Sequence, residues 1–304
     1  MAGLCIIGRS AMGVSIARGA IAAGLYRPEE IAIVSGRAMA KLGIIGGGAM
    51  GAAFAKGVVS SGAIGPSEVT VADLDEARLE KLSREIGVKT TTDNLAAIRE
   101  AEIILLAVKP GIVPEVVEGI ANVVSGRQLV ISIAAGVSLE AIESRLPDGI
   151  GVIRAMPNTP CQVGAGAIGF SPGKAATRDQ VDAAKRIFDA VGISVEVPEK
   201  LLNAVTGLSG SGPAYVYVMI EALSDAGVRV GLPRGIALKL AAQTVYGAAK
   251  MVIEGGEHPA MLKDQVASPG GTTIAGLDAL EKAGFRSALI EAVKAAAKRS
   301  EELV

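Results

Sequence analysis

The sequence predicts an α/β, doubly wound domain followed by an all-α domain, and three observations predict it. Short apolar strands alternate with helices from Leu42 to about Val197, the pattern of a mostly parallel sheet covered on both faces. The first of these strands runs into Gly46-x-Gly48-x-x-Gly51 and then into a helix of small residues, an order that presents backbone N–H groups to a pyrophosphate at a helix amino terminus. After about Leu201 strand patterning stops and apolar helices continue to the end. The expected boundaries are a separate unit over residues 1–40, a dinucleotide-binding domain of the Rossmann type over 41–200 and a helical domain over 201–304.

Residues 1–40 are set apart because the chain repeats them from residue 42 onward. Leu4-Cys5-Ile6-Ile7-Gly8-Arg9-Ser10-Ala11-Met12-Gly13 returns as Leu42-Gly43-Ile44-Ile45-Gly46-Gly47-Gly48-Ala49-Met50-Gly51. The copies stay in gapless register from Leu4/Leu42 to Arg37/Asp75, sharing Gly19/Gly57, Gly24/Gly62, Pro28/Pro66 and Glu30/Glu68. Each reads as strand, Gly turn, helix, proline turn and second strand, which is one βαβ unit. Two copies are too few for a solenoid. In the first, Ser10 replaces the middle glycine whose absent side chain lets backbone approach a pyrophosphate, so that copy is expected to be vestigial or structural.

The strands expected in the second copy and beyond are Leu42–Gly46, Val69–Ala72, Ile103–Val108, Leu129–Ile133 and Val152–Ala155, with two more at Ala165–Phe170 and Ile193–Val197. Runs such as Ile103 to Val108 are apolar on both faces, as central parallel strands are. Ligands bind at the carboxyl ends of such strands, where Lys109-Pro110, Ala134-Ala135-Gly136 and Met156-Pro157-Asn158-Thr159-Pro160 stand. Gly207-Leu208-Ser209-Gly210-Ser211-Gly212-Pro213 opens the helical domain, with Pro213 and Pro233 expected at first helical positions. Helices near Ala214–Ala226 and Arg234–Ile253 are apolar around much of their circumference. A helix of that kind needs more than one neighbour, so the helical domain is expected to make a homo-oligomer interface as well.

Composition excludes several classes. The 304 residues are 50% apolar and 20% charged, enough to fill real cores and unlike a disordered chain. A net charge of −1 with 3% aromatic residues offers no field or stacking surface for nucleic acid. Cys5 and Cys161 make neither a disulfide framework nor a metal cluster, and His258 is the lone histidine, so no metal is expected and a reducing cytoplasm is the natural compartment. No uninterrupted apolar run approaches the roughly 18 residues of a membrane span, and the start lacks the pattern of a leader.

Cofactor choice turns on the end of the second strand, where a carboxylate accepts from ribose hydroxyls and repels a 2′-phosphate. That residue is Asp73 in the second copy, which favours NADH modestly over NADPH, with Arg78 close enough in sequence to admit the phosphate. The first copy reads Ser35-Gly36-Arg37 there, a hydroxyl and a guanidinium suited to phosphate. Near the carboxyl end, Ser268-Pro269-Gly270-Gly271-Thr272-Thr273 precedes a helix and can cradle an anion, or simply cap that helix on a glycine hinge. Lys263 with Asp264 reads as a solvated pair, and His258 before Pro259 as a turn residue rather than a catalytic acid.

From Lys41 onward the sequence resembles the pyrroline-5-carboxylate reductases. The resemblance rests on Ala107-Val108-Lys109-Pro110, on Ile131-Ser132-Ile133-Ala134-Ala135-Gly136-Val137 and on Arg154-Ala155-Met156-Pro157-Asn158-Thr159-Pro160. Gly207 to Tyr215 and the specific stretch Leu262 to Thr273 complete it. Residues 1–40 fall outside the resemblance. Asp73 stands where the family often has a small hydroxyl that goes with NADPH.

The resemblance implies reduction of the cyclic imine 1-pyrroline-5-carboxylate to L-proline by hydride from NADH or NADPH, the last step of proline biosynthesis. Such a reaction needs orientation and a donor near the imine nitrogen more than a strong nucleophile. It implies Thr273 as that donor, Gly270, Gly271 and Thr272 as holders of the substrate carboxylate, and Glu199 near the bound product. Gly46, Gly48, Ala49, Met50 and Gly51 would take the pyrophosphate. Ala107, Val108, Lys109, Pro110 and Asn94 would line the cofactor groove, with Ala134, Ala135 and Asn158 at the edge of the nicotinamide. Partners implied are a small-molecule substrate and a second copy of the chain, its helical domain interlocked with the first, with dimers building larger rings; neither nucleic acid nor membrane is expected. Two rival classes stand beside this reading. A hydroxyacid-type dehydrogenase would need a basic catalytic side chain on the first helix of the helical domain, where Tyr215 to Ala226 offers no lysine. A non-enzymatic nucleotide sensor would bind cofactor without reducing an imine.

Overall fold

The computed structural model describes residues 4–7, 31–34 and 41–302. The chain divides into two compact units that meet in sequence at Leu202 and Asn203.

The first unit is built on an eight-stranded sheet: β3 (Leu42–Ile45), β4 (Val69–Ala72), β5 (Lys89–Thr91), β6 (Ile103–Leu106), β7 (Leu129–Ser132), β8 (Gly151–Met156), β9 (Gly166–Pro172) and β10 (Gly192–Glu196). Its order is β10-β9-β8-β7-β6-β3-β4-β5. The six strands from β5 to β8 are parallel, whereas β9 runs antiparallel to β8 and β10 follows β9. After β5 the chain returns to the other side of β3, so the switch point of the doubly wound sheet falls between β3 and β6.

Alternate residues of the central strands feed two separate cores. Ile44, Leu105, Ile131 and Ile153 face one side, and Ile45, Ile104, Leu106, Val130 and Val152 the other. The first side is covered by α1 (Ala49–Ser60), α2 (Glu76–Ile86) and α6 (Arg178–Asp189). The second is covered by α3 (Asn94–Ile98), α4 (Val113–Ile120) and α5 (Leu139–Glu143). Asp75 caps α2 by accepting from the Arg78 amide at 3.0 Å, and Gly87 ends it at φ 73°. A Thr177–Gln180 capping box starts α6. Phe54 of α1, Phe188 of α6 and Phe170 of β9 are fully buried together, their ring centroids 6.4 and 5.2 Å apart along the cluster. Each ring contributes about 2–3 kcal/mol by leaving water.

Of the first sequence copy, β1 (Leu4–Ile7) and β2 (Ile31–Val34) form a parallel pair of their own. Leu4 stands opposite Ile31 and Ile7 opposite Val34, at the positions equivalent to Leu42 opposite Val69 and Ile45 opposite Ala72 in β3 and β4. The duplication therefore keeps its strand register. The expected first Gly turn and helix, and Ser10, Ser35 and Arg37, lie outside the described residues.

The second unit is helical. After the 3-10 turn Glu199–Leu201 and α7 (Leu202–Val205), which carry the chain across the boundary, a π-helical turn occupies Thr206–Gly210. It is followed by α8 (Gly212–Arg229), α9 (Arg234–Gly255), α10 (Pro259–Gln265), α11 (Thr272–Lys282) and α12 (Phe285–Glu301). A Cβ on Gly207 would lie 2.7 Å from the Val293 carbonyl oxygen and 2.8 Å from the Ala297 nitrogen, so α12 rests directly on the π turn. The Tyr215 hydroxyl reaches the Gly207 and Ala292 carbonyls at 3.2 and 3.4 Å and ties both sides of that contact.

Three sequence expectations shift. Pro213 is the second residue of α8 and Pro233 is the N-cap of α9, so neither sits at the first helical position. The missing proline N–H is tolerated at either place because no intrahelical acceptor awaits it. Strand β5 was not expected, because Lys89-Thr90-Thr91 carries no apolar run and is extended by its pairing with β4. α9 also has the length and composition of a span, its most apolar window averaging a mean hydropathy of 1.2 with 11% of it buried. Its small and aliphatic residues outweigh Lys239 and Lys250 in that average.

Candidate cofactor site

The site is built where β3 ends. Gly46 takes φ 105°, a conformation that favours glycine, and its amide donates to the Ala72 carbonyl at 2.8 Å while Ala107 N donates to the Ile45 carbonyl at 2.8 Å. The turn is thus stitched to β4 on one side and β6 on the other. The three glycines then differ in what they allow. A Cβ on Gly46 would meet the Ala107 carbonyl oxygen at 2.6 Å, and one on Gly51 would sit 1.8 Å from the Gly46 carbonyl oxygen. Gly48 faces open space, with no atom within 4 Å of such a Cβ. The outer two glycines are demanded by the fold, and the middle one by nothing in the chain.

Gly48 is the N-cap of α1, and no side chain caps that helix. The amides of Ala49, Met50 and Gly51 are left at the positive end of the helix dipole, beside the opening at Gly48. These residues fit the diphosphate of a dinucleotide. A shallow depression of about 210 Å³ adjoins them, lined by Gly47, Gly48, Ala49, Lys56 and Arg78 among others. Lys56 pairs with Glu85 at 2.5 Å, and that contact holds the Glu85 carboxyl below its usual range. The larger cavity, about 340 Å³, lies around Lys41, Leu42 and Lys89 where β3 and β5 begin, at the end of the sheet that ligands of this fold do not use.

Asp73 follows β4 and points back at the turn. Its Oδ2 accepts from the Gly47 amide at 2.7 Å, its Oδ1 from the Asp75 amide at 2.9 Å, and the Arg78 guanidinium lies 3.2 Å from Oδ2. The carboxylate side chain is 14% exposed and the Arg78 side chain 48% exposed. Two backbone amides fix the acid, while the cation stays on the rim.

The other expected residues of the first unit fall at the carboxyl edge of the sheet. Asn94 opens α3 just beyond β5, on an N-cap, Asp93, that accepts from Leu95 N at 2.8 Å. Ala107 and Val108 are half-buried after β6, and Lys109 and Pro110 are exposed at the start of a 3-10 turn. Ala134 is buried and Ala135 exposed after β7. Asn158 is buried after β8, and its Oδ1 accepts from Ala167 N at 3.0 Å, bracing β9. Glu199 is held by two donors of the first unit: its Oε1 accepts from the Leu139 amide at 2.8 Å and from Arg154 Nη1 at 3.0 Å. Arg154 was not among the expected site residues. The structure also buries Cys161, and burial pushes its thiol pKa up.

In the second unit, Gly270 takes φ 66° and Gly271 is the N-cap of α11, with no side chain capping the helix that begins Thr272-Thr273. The amide end of α11 is therefore open. His258 is the N-cap of α10, its Nδ1 accepting from Ala260 N at 3.2 Å, and Lys263 and Asp264 pair at 2.7 Å with exposed side chains. Among the described residues no cluster of three or more metal-ligating side chains occurs.

Residues 199–303 match the family described as pyrroline-5-carboxylate reductase dimerisation, and residues 41–136 that described as NADP oxidoreductase, coenzyme F420-dependent. The pyrroline-5-carboxylate reductase of Synechocystis sp. is 56% identical over 227 residues, which are 75% of this chain and 84% of that protein. The chain belongs to the pyrroline-5-carboxylate reductase family. A solved pyrroline-5-carboxylate reductase from Coxiella burnetii superposes with a TM-score of 0.84 at 36% identity, covering 87% of this chain and 98% of that one. The pyrroline carboxylate reductase of Plasmodium falciparum, solved with NADP bound, gives 0.78 at 34% identity over 88% and 99%. Membership in the reductase family agrees with the doubly wound sheet and the helical second unit.

Proposed function

We propose that this chain reduces 1-pyrroline-5-carboxylate to L-proline using NADH or NADPH. The observation that carries the proposal is the open position at Gly48 beside the uncapped amides of Ala49, Met50 and Gly51, in a chain of this family. Bound there, the reduced nicotinamide supplies the hydride.

The remaining roles belong to the chain. The α1 amides hold the diphosphate by charge-assisted hydrogen bonds. Asn94, Ala107, Val108, Lys109 and Pro110 line the groove along the sheet edge, and Ala134, Ala135 and Asn158 border the nicotinamide. In the helical unit the amides of Gly270 and Thr272 orient the substrate carboxylate, the expected Gly271 amide being engaged with the Ser268 carbonyl at 3.0 Å, and the Thr273 hydroxyl donates a hydrogen bond toward the imine nitrogen. Orientation of this kind supplies much of the rate enhancement when no nucleophile is required.

NADH is favoured by Asp73. Rotating its carboxylate away to admit a 2′-phosphate would abandon the Gly47 and Asp75 amides, and leaving it in place sets like charges against each other. Arg78 offsets part of that repulsion from the rim. We read the helical unit as the site of homodimer formation, with dimers able to assemble into rings and the enzyme working in the cytoplasm.

The test is oxidation of NADH and NADPH, followed in parallel with 1-pyrroline-5-carboxylate and the purified chain. Turnover with NADH ahead is expected. NADPH ahead would overturn the reading of Asp73, and no turnover with either from a chain that binds cofactor would overturn the enzymatic reading.

A further inference from the structure

Arg154 is a charge in an apolar place. It lies in β8 between Ile153 and Ala155, which are 0% and 1% exposed, and is itself 7% exposed. A guanidinium so buried needs an anion and good geometry to be tolerated. Glu199 provides both, with Oε1 3.0 Å from Arg154 Nη1.

The same oxygen accepts from the Leu139 amide at 2.8 Å. Leu139 is the first residue of α5, and the Ser138 hydroxyl caps the next turn by accepting from Ala141 N at 3.1 Å. Glu199 therefore takes an orphan amide at the positive end of a helix while neutralising Arg154.

Leu139 closes the loop that leaves β7. Its near end is fixed by Ile133 N on the Leu106 carbonyl at 3.1 Å and by Ala134 N on Ser132 Oγ at 3.4 Å. In between, Gly136 takes φ 75°. The far end is fixed by Glu199, a residue 60 positions away in sequence. Ala134 and Ala135 are thus carried on a short loop pinned at both ends.

We propose that Arg154 and Glu199 form a clamp that positions the Ala134–Ser138 loop against the nicotinamide end of the cofactor. Glu199 is then a positioning residue acting through Leu139. The inference rests on the cofactor reading above. It assigns a function to a charge pair of the first unit whose guanidinium is almost wholly shielded from water.

The test uses the full chain with Glu199→Gln and Glu199→Asp. Gln keeps an acceptor for Leu139 but leaves Arg154 without its counter-charge, and Asp keeps the charge on a side chain one methylene shorter. Two affinities are measured for each: NADH by nicotinamide fluorescence, and ADP-ribose, which lacks the nicotinamide, by titration calorimetry. ADP-ribose binding within about twofold of the parent, with NADH weakened about tenfold in Glu199→Gln and about threefold in Glu199→Asp, is the expected result. Retained ADP-ribose binding also establishes that a variant is folded. Equal losses for both ligands, or no loss for either, would overturn the clamp while leaving the cofactor site intact. A parent chain that binds neither ligand would instead remove the cofactor reading, and the clamp with it.

Discussion

The two units bury their apolar residues in opposite ways. The first encloses Phe54, Phe170, Phe188 and the strands around Ile44, Leu105 and Ile131 at or near zero exposure. The second has Ala237 and Ala241 as its buried apolar side chains among the described residues, while Val218, Leu240, Tyr246 and Ile253 stand 54–77% exposed. A helical unit cannot fold stably on two alanines, so its core is completed by another surface. The first unit encloses its own core, and the second leaves most of its large apolar side chains exposed. Residues 199–303 are the stretch matched by the family described as dimerisation, which accords with the homodimer proposed above.

The contrast is broken most directly in the second unit. Charges on α9, as in Leu240→Glu with Tyr246→Glu, are expected to convert the oligomer to monomer and to lower imine-reductase activity by more than about 100-fold, read by light scattering and by assay. An active oligomer from that variant would show that the exposed face is not the interface. In the first unit Phe188→Ala should cost about 3–5 kcal/mol in denaturant unfolding, through lost burial and a cavity, without altering the mass of the assembly. A change in mass would mean that the two units are not independent.

The glycine turn sharpens the comparison on a finer scale. Gly51→Ala forces a Cβ into the Gly46 carbonyl and should destabilise by about 2–3 kcal/mol. Gly48→Ala meets nothing, so its melting temperature should stay at the parent value while NADH binding weakens about tenfold. Equal melting losses in the two variants would contradict the assignment of Gly48 to a ligand. The smallest effect concerns Cys161. Burial raises its thiol pKa in the fold, so its contribution to stability is whole below the ordinary thiol range and is lost as pH climbs toward the raised value. Native protein at about pH 8 should leave the Cys161 peptide unalkylated, with labelling after denaturation, as followed by mass spectrometry.

Legibility in the sequence tracked the distance over which residues cooperate. The strands from Leu42 to Ala155 were readable because Ile, Val and Leu runs declare buried strands locally, and the Gly46-x-Gly48-x-x-Gly51 turn because its glycines fall at a fixed short spacing between a strand and a helix of small residues. β5 was hidden because three polar residues become a strand through pairing with Thr70 to Ala72. The reversal of β9 was hidden because apolar patterning carries no direction. The grip of Gly47 on Asp73 and the Arg154–Glu199–Leu139 contacts join residues 26 to 60 positions apart, a relation no local motif expresses. The stretch from Gly207 to Pro213 is legible as the opening of the helical domain, but the π turn at Thr206–Gly210 is not, since α12 lies directly against Gly207 from far along the chain.

The shared register of β1–β2 and β3–β4 makes the chain its own competitor during folding. Either Leu4–Ile7 or Leu42–Ile45 could seek the place beside β6, and the longer loop that the first would close handicaps it by only about 0.4 kcal/mol. One position that discriminates is Gly43. Where β3 has Gly43, a Cβ would lie 2.6 Å from the Ala97 carbonyl oxygen of α3. The equivalent residue of β1 is Cys5. A strand carrying that side chain cannot settle under α3 without displacing it, so the missing side chain at Gly43 disfavours the misthreaded sheet.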